Sequence, residues 1–159
     1  MFKQDTRTRA LGLAVAITGS MVVASTAFAG ECPADKMKPN VRAMVDYKPV
    51  GVTDVTLGSI DLGKQPAHIE GRELRFRKLT IEPGGIVPWH SHDDRPALIF
   101  VEQGEIIEYA SNCEVAITHK AGDIRPEVFG TSHWWKNLGK ETVILYVGDV
   151  RKDPNDHNM

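Results

Sequence analysis

The chain has 159 residues, with 19 Lys or Arg, 21 Asp or Glu and two Cys, for a formal charge of −2. Taking off Lys3, Arg7, Arg9 and Asp5 with the N-terminal segment discussed next leaves 16 basic and 20 acidic residues, a charge of −4. No Lys/Arg cluster follows residue 30, whereas a protein that neutralises a phosphate backbone concentrates positive charge, so nucleic acid is excluded as the expected partner.

Residues 1–29 have the three parts of a secretory signal peptide: Lys3, Arg7 and Arg9 at the start, an apolar stretch from Leu11 to Ala27, and the small-x-small site Ala27-Phe28-Ala29. Cleavage is expected before Gly30. Thr18, Gly19 and Ser20 interrupt the apolar stretch, which falls short of the ~20 residues of a spanning helix, so no membrane anchor is expected to remain. Cys32 follows Glu31 rather than a small residue, which argues against lipid attachment. The expectation is a periplasmic or secreted protein of 130 residues forming one domain. Two cysteines in an oxidising compartment favour a Cys32–Cys113 disulfide over two free thiols.

Residues 30–50 are polar, with Pro33, Pro39 and Pro49, and suggest an N-terminal arm with one helical turn near Val41 to Asp46. From residue 51 to 150, runs rich in Val, Ile, Leu, Phe and Thr recur about every ten residues between turn formers, the pattern of an all-β barrel or sandwich. The expected strands are Thr53–Ile60, Leu74–Ile81, Ile86–His92, Ala97–Gln103, Glu105–Ala110, Glu114–Thr118, Ile124–Phe129, Ser132–Asn137 and Val143–Val150. Turns are expected at Pro83-Gly84-Gly85, Asp93-Asp94-Arg95-Pro96, Gln103-Gly104, Ser111-Asn112 and Leu138-Gly139-Lys140. Residues 151–159 form a polar tail, in which His157 is more simply a solvated residue than a metal ligand.

His90 and His92 stand two apart in an expected strand, so their rings share one face. His133 lies in another expected strand that a closed sheet could bring opposite them. Three imidazoles converging on one ion would leave open coordination positions.

These residues resemble the cupins, whose two motifs are G(X)5HXH(X)3–4E(X)6G and G(X)5PXG(X)2H(X)3N. Gly84, His90, His92 and Gly104 match the first, and Gly122, Gly130, His133 and Asn137 the second. The usual glutamate ligand position holds Ala97, and the usual proline position holds Val128. The resemblance implies a double-stranded β-helix, or jelly-roll, barrel with a short N-terminal arm. It also implies a divalent transition metal on His90, His92 and His133: Fe(II) by likeness to the three-histidine thiol dioxygenases, with Mn, Zn, Ni or Cu as alternatives.

Losing the anionic ligand leaves the site more positive, which favours a small, anionic substrate or an additional water at the vacated position. Among acids that could substitute, alternation from Ala97 turns Glu102 away, Asp93 and Asp94 suit a turn, and Glu127 stays open. Trp135 shares the face of His133 and could wall the pocket or simply pack the core. Tyr109 could donate a proton, Arg125 could bind a carboxylate, and His119 is a further polar candidate, though each also suits an ordinary strand position. Trp89 and Trp134 face outward and suggest either a homodimer interface or cover by the N-terminal arm. The function expected is a metal-dependent, dioxygenase-like oxidoreductase. The alternatives are a non-catalytic metal or small-molecule binder and a metal-dependent isomerase or lyase.

Overall fold

The computed structural model describes residues 30–152; the expected signal peptide and His157 lie outside the described residues. Eight strands follow in order: β1 Val50–Asp61, β2 Glu73–Ser91, β3 Ala97–Gln103, β4 Glu105–Ala110, β5 Ile117–Lys120, β6 Ile124–Glu127, β7 Ser132–Lys136 and β8 Val143–Arg151. All pairings are antiparallel in the order β5-β4-β7-β2-β8-β3-β6, with β1 added on β2. The architecture is all-β, a single sheet curled on itself, as the strand rhythm implied.

Two expectations need correction. The runs Leu74–Ile81 and Ile86–His92 are one strand, β2, because Pro83-Gly84-Gly85 bends the chain without ending its pairing: Val50 pairs with Ile86 and Val52 with Ile81 across an irregularity in the ladder. The helical turn expected at residues 41–46 is absent there, and the arm instead has a single 3-10 turn at Ala34–Lys36. The arm is tied to the sheet from outside. Lys38 N and Val41 N donate to the carbonyls of Asn112 and Ser111, and the Arg42 side chain donates to the carbonyls of Cys113 and Glu114.

Alternation in the strands sorts the core. In β8, Val143, Leu145 and Val147 point inward, and in β3 Ala97, Ile99 and Val101 do the same. With Leu79, Ile81, Val87, Ile106 and Trp135 they form the apolar filling on which the site rests. Gly104 makes the β3–β4 turn at φ +83°, and a Cβ there would lie 2.9 Å from Val143 Cγ2, so both backbone and space call for glycine. A disulfide joins Cys32 to Cys113, with Cα atoms 5.8 Å apart, and fastens the arm at the start of the β4–β5 connection.

Candidate metal centre

β2 and β7 are neighbours, and a bulge lets Val87 pair with Trp135 and His90 with His133, so residues 88 and 89 oppose Trp134 alone. Two side chains opposite each other on one face of an antiparallel ladder stand within ring contact. The bulge therefore sets the third histidine directly against the first. His92, one residue past the end of β2, is fixed by its own N–H donating to the Thr131 carbonyl at 2.9 Å.

His133 Nε2 lies 3.0 Å from His90 Nε2 and 3.0 Å from His92 Nε2. The other ring nitrogens all face oxygen: His90 Nδ1 to the Pro88 carbonyl at 2.9 Å, His92 Nδ1 to the Arg95 carbonyl at 2.8 Å, and His133 Nδ1 to Glu108 Oε1 at 2.8 Å. An oxygen acceptor requires the proton on Nδ1, so each Nε2 presents a bare lone pair to the same point. Three such lone pairs about 3 Å apart repel one another unless a cation lies between them. Backbone carbonyls and a carboxylate orienting the far nitrogen are how proteins hold histidine ligands on a metal. The residues present therefore fit a transition-metal ion.

Electrostatics keep His90 and His92 neutral. Burial, followed by the charge of His133 and the other neighbours, holds His90 well below the ordinary imidazole range, and burial with His133 lowers His92 to about 3. Neutral imidazole is the form that coordinates.

Residues 77–148 match the family model described as cupin domain. The barrel is a cupin. The curated relatives include germin-like protein 8-14 of Oryza sativa, 32% identical over 90 residues that are 54% of this chain and 42% of the relative. Another is auxin-binding protein ABP19a of Prunus persica, 27% identical and covering 63% and 52%. The chain spans about half the length of the curated relatives it matches. Among solved structures, a predicted oxalate decarboxylase of Thermotoga maritima aligns with TM-score 0.50 at 16% identity over 76% of this chain and 98% of the other. A double-stranded β-helix protein of Klebsiella pneumoniae also aligns at 0.50, with 19% identity and coverage of 76% and 86%. At that identity these two structures support the fold alone.

Behind the cupin histidines lies a buried polar chain that the sequence only partly disclosed. Glu108, wholly buried on β4, accepts from His133 Nδ1 through Oε1 and from His119 Nε2 through Oε2, both at 2.8 Å. Burial pushes the Glu108 carboxyl up, but the hydrogen bonds from His119 and His133 and the charges of His133 and Arg125 outweigh it, so it stays ionised far below the usual range. Glu127 is the Cα partner of Ala97 across the β3–β6 ladder, so the acid left open by the sequence faces inward beside the missing ligand position. Its Oε1 lies 3.5 Å from His133 Nδ1 and 3.3 Å from Arg125 Nε, yet neither oxygen accepts a hydrogen bond. Burial raises Glu127 to about 7; His133 opposes that rise and Glu108 adds to it.

The remaining candidates separate. Trp135 is buried beside the ligands, with its indole Nε1 3.2 Å from His133 Nδ1 and its ring stacked 4.5 Å from that of His119. Arg125 sits behind the ligands, 3.4 Å from Glu108 Oε2 and 3.3 Å from Glu127 Oε1. Tyr109 is on the outer face, stacked 4.1 Å from Trp134 and carrying the Arg42 guanidinium at 5.5 Å. Tyr47 of the arm makes an edge contact with Trp134 at 4.7 Å, so the arm covers part of that tryptophan. Glu102 is exposed, Asp94 pairs with Arg72, and Asp93 accepts from Gly130 N.

On the open side of His90 and His92 is a narrow cavity walled by Arg77, Leu79, Val87, Ile99, Leu145 and Val147, with room for about one water molecule. Arg77 is 3% exposed; it pairs with Asp54 at 2.5 Å, and its Nε has no hydrogen-bond acceptor. Arg75 and Arg77 stand in two-residue register with the inward Leu79 and Ile81 while Phe76 is exposed, and that register was the signal available in the sequence.

Proposed function

We propose that this cupin is exported and cut before Gly30, binds one divalent transition-metal ion through His90, His92 and His133, and acts with Fe(II) as a dioxygenase-like oxidoreductase on a small anionic molecule. The observation that carries the metal reading is the meeting of three Nε2 lone pairs whose Nδ1 protons are committed to oxygen acceptors. Export is supported by the N-terminal pattern and by the Cys32–Cys113 disulfide, which suits an oxidising compartment.

Bound there, ferrous iron would supply redox chemistry and open positions for small ligands. The chain's own residues have separable tasks. Glu108 orients the His133 ring and balances part of the ion's charge. Trp135 and the aliphatic wall of Leu79, Val87 and Ile99 exclude water. Arg77 is the cation that lines the cavity and would meet an anionic guest there, with its charge already shared by Asp54, whereas Arg125 lies behind the ligands between two carboxylates. Glu127 is the acid positioned beside the ligands to hold or release a proton.

A second reading, a binding protein without turnover, is favoured by the small size of the cavity, which suits a compact ligand better than a substrate and a co-substrate together. Elemental analysis of protein from its native compartment, followed by oxygen uptake against small carboxylates, thiols and phenols, separates the two. Iron at one equivalent with oxygen consumption lost on chelation is the expected result. Stoichiometric binding without turnover supports the second reading, and absence of any bound or bindable divalent metal refutes both.

A further inference from the structure

We propose that cutting the chain before Gly30 makes a docking group: the freed α-amine swings onto His119 Nδ1 and the Asp123 carboxylate and closes the buried chain His133–Glu108–His119 at its outer end. The inference rests on the cleavage reading above and adds a structural role for the product of that cut.

His119 has no solvent exposure, and its Nε2 is 2.8 Å from Glu108 Oε2. An ionised carboxylate can only accept, so Nε2 carries the proton and Nδ1 is left as an acceptor. That Nδ1 has no hydrogen-bond partner. A buried acceptor without a donor is unfavourable, and the great majority of such atoms find one.

Gly30 supplies the place for the donor. The point a Cβ would occupy on Gly30 is 2.9 Å from His119 Nδ1 and 3.4 Å from Asp123 Oδ2. For carbon the first distance is a clash; for an N–H donor it is hydrogen-bond length. The Cβ point and the backbone nitrogen are two corners of the same tetrahedron around Cα, at nearly equal bond lengths. Turning Gly30 by about 120° around its Cα–C bond therefore carries the nitrogen to that point. In the uncut chain the nitrogen is bound to residue 29 by a planar peptide and cannot make this turn without dragging the preceding chain with it. Once cut, it is an ammonium group with three N–H donors facing one nitrogen lone pair and one carboxylate.

The surroundings are already ordered to receive it. Asp123 Oδ2 is held by the Lys120 N–H at 2.8 Å. The Cys32–Cys113 bond, two residues further along, limits how far the new terminus can wander. In the uncut chain glycine is called for at this position, because its φ is +89° and a Cβ would lie 2.9 Å from His119 Nδ1.

The test uses protein exported with its own leader and purified from the envelope or medium. Intact mass first identifies the N-terminus; a start other than Gly30 overturns the cleavage reading, and this inference falls with it. On the Gly30-started protein, an aldehyde reagent selective for α-amines is applied under native and denaturing conditions. The expected result is modification at least about tenfold slower in the folded protein, the worth of one charge-assisted hydrogen bond, with most of that protection lost in Asp123→Asn. A form carrying Ala29 as an extra first residue is expected to melt several degrees lower and to react freely; it serves the same purpose if D123N does not fold. A Gly30 amine that reacts equally fast folded and unfolded, with unchanged melting in the extended form, overturns the docking and leaves the cleavage reading standing.

Discussion

Replacing Glu127 by Gln isolates the carboxyl that the fold keeps beside the ligands without hydrogen-bond donors. Its pKa is raised from 4.5 to about 7, first by burial. A carboxyl that holds its proton more tightly folded than unfolded contributes its full stability below the unfolded value. That contribution is lost as pH rises through the folded one, because the unfolded state ionises first. Between pH 5 and pH 8.5 the difference amounts to roughly 2–3 kcal/mol. Urea denaturation of chelator-treated protein reads it: the midpoint of the unaltered chain should fall by roughly 1–2 M between the two pH values. Gln has the shape of the neutral acid and cannot ionise, so Glu127→Gln should lose this part of the pH dependence and be the more stable protein at pH 8.5. Parallel pH profiles for the two proteins would refute the account of Glu127 as a buried acid without donors.

Removing one converging nitrogen in His92→Ala or His133→Ala should abolish one-to-one metal binding in calorimetry. Glu108→Gln, which keeps the His133 contact but removes its charge, should weaken binding by about 10–100-fold. Restoring a carboxylate with Ala97→Glu should tighten divalent metal binding, measured by competition with a chromogenic chelator; unchanged affinity would count against the vacated position facing the ion. Breaking the staple in Cys32→Ser/Cys113→Ser should lower unfolding free energy by about 4–5 kcal/mol, from the 81-residue separation it closes, as measured by denaturant titration.

The strands β3, β4, β7 and β8 were legible because each is a short alternating run between turn residues, and alternation put Trp135 on the face of His133, which the motif, like Ala97, assigned to the site. Continuity through Pro83-Gly84-Gly85 was not legible, since local turn chemistry says nothing of whether a partner strand spans the bend, as β1 does here. The HxH pair and the distant His133 could be matched by motif. Their cross-strand pairing depends on a bulge at residues 88 and 89 that carries no distinctive residue signal beyond Pro88. Glu108 was missed for a related reason. An acid between Ile106 and Ala110 follows the inward alternation, but solvated acids are so common in strands that only a buried partner, His119 or His133, separates the cases. Tyr109, one residue on, follows the same alternation outward, which is why it meets Trp134 and the arm rather than the ligands.

Charge accounting connects the missing ligand to the kind of guest the cavity admits. A divalent ion on three neutral imidazoles keeps its full charge in the first coordination sphere, and the nearest fixed anion, Glu108, is one imidazole away. Glu127 can add a second negative charge only by giving up the proton that burial favours, so metal binding and ionisation of Glu127 assist each other. On the opposite side Arg77 faces the cavity and is paired with Asp54 at 2.5 Å, while Asp149 is taken up by Arg75 through a bidentate pair at 2.9 and 2.5 Å and makes a 3.6 Å contact to Arg77 Nε. With Arg77 paired to Asp54, a bound ion would be the main uncompensated charge on the open side. A neutral guest would leave that field uncompensated in a water-poor space where charge interactions are strong. A small anion would meet such an ion beside Arg77 and would supply the negative charge that Ala97 does not.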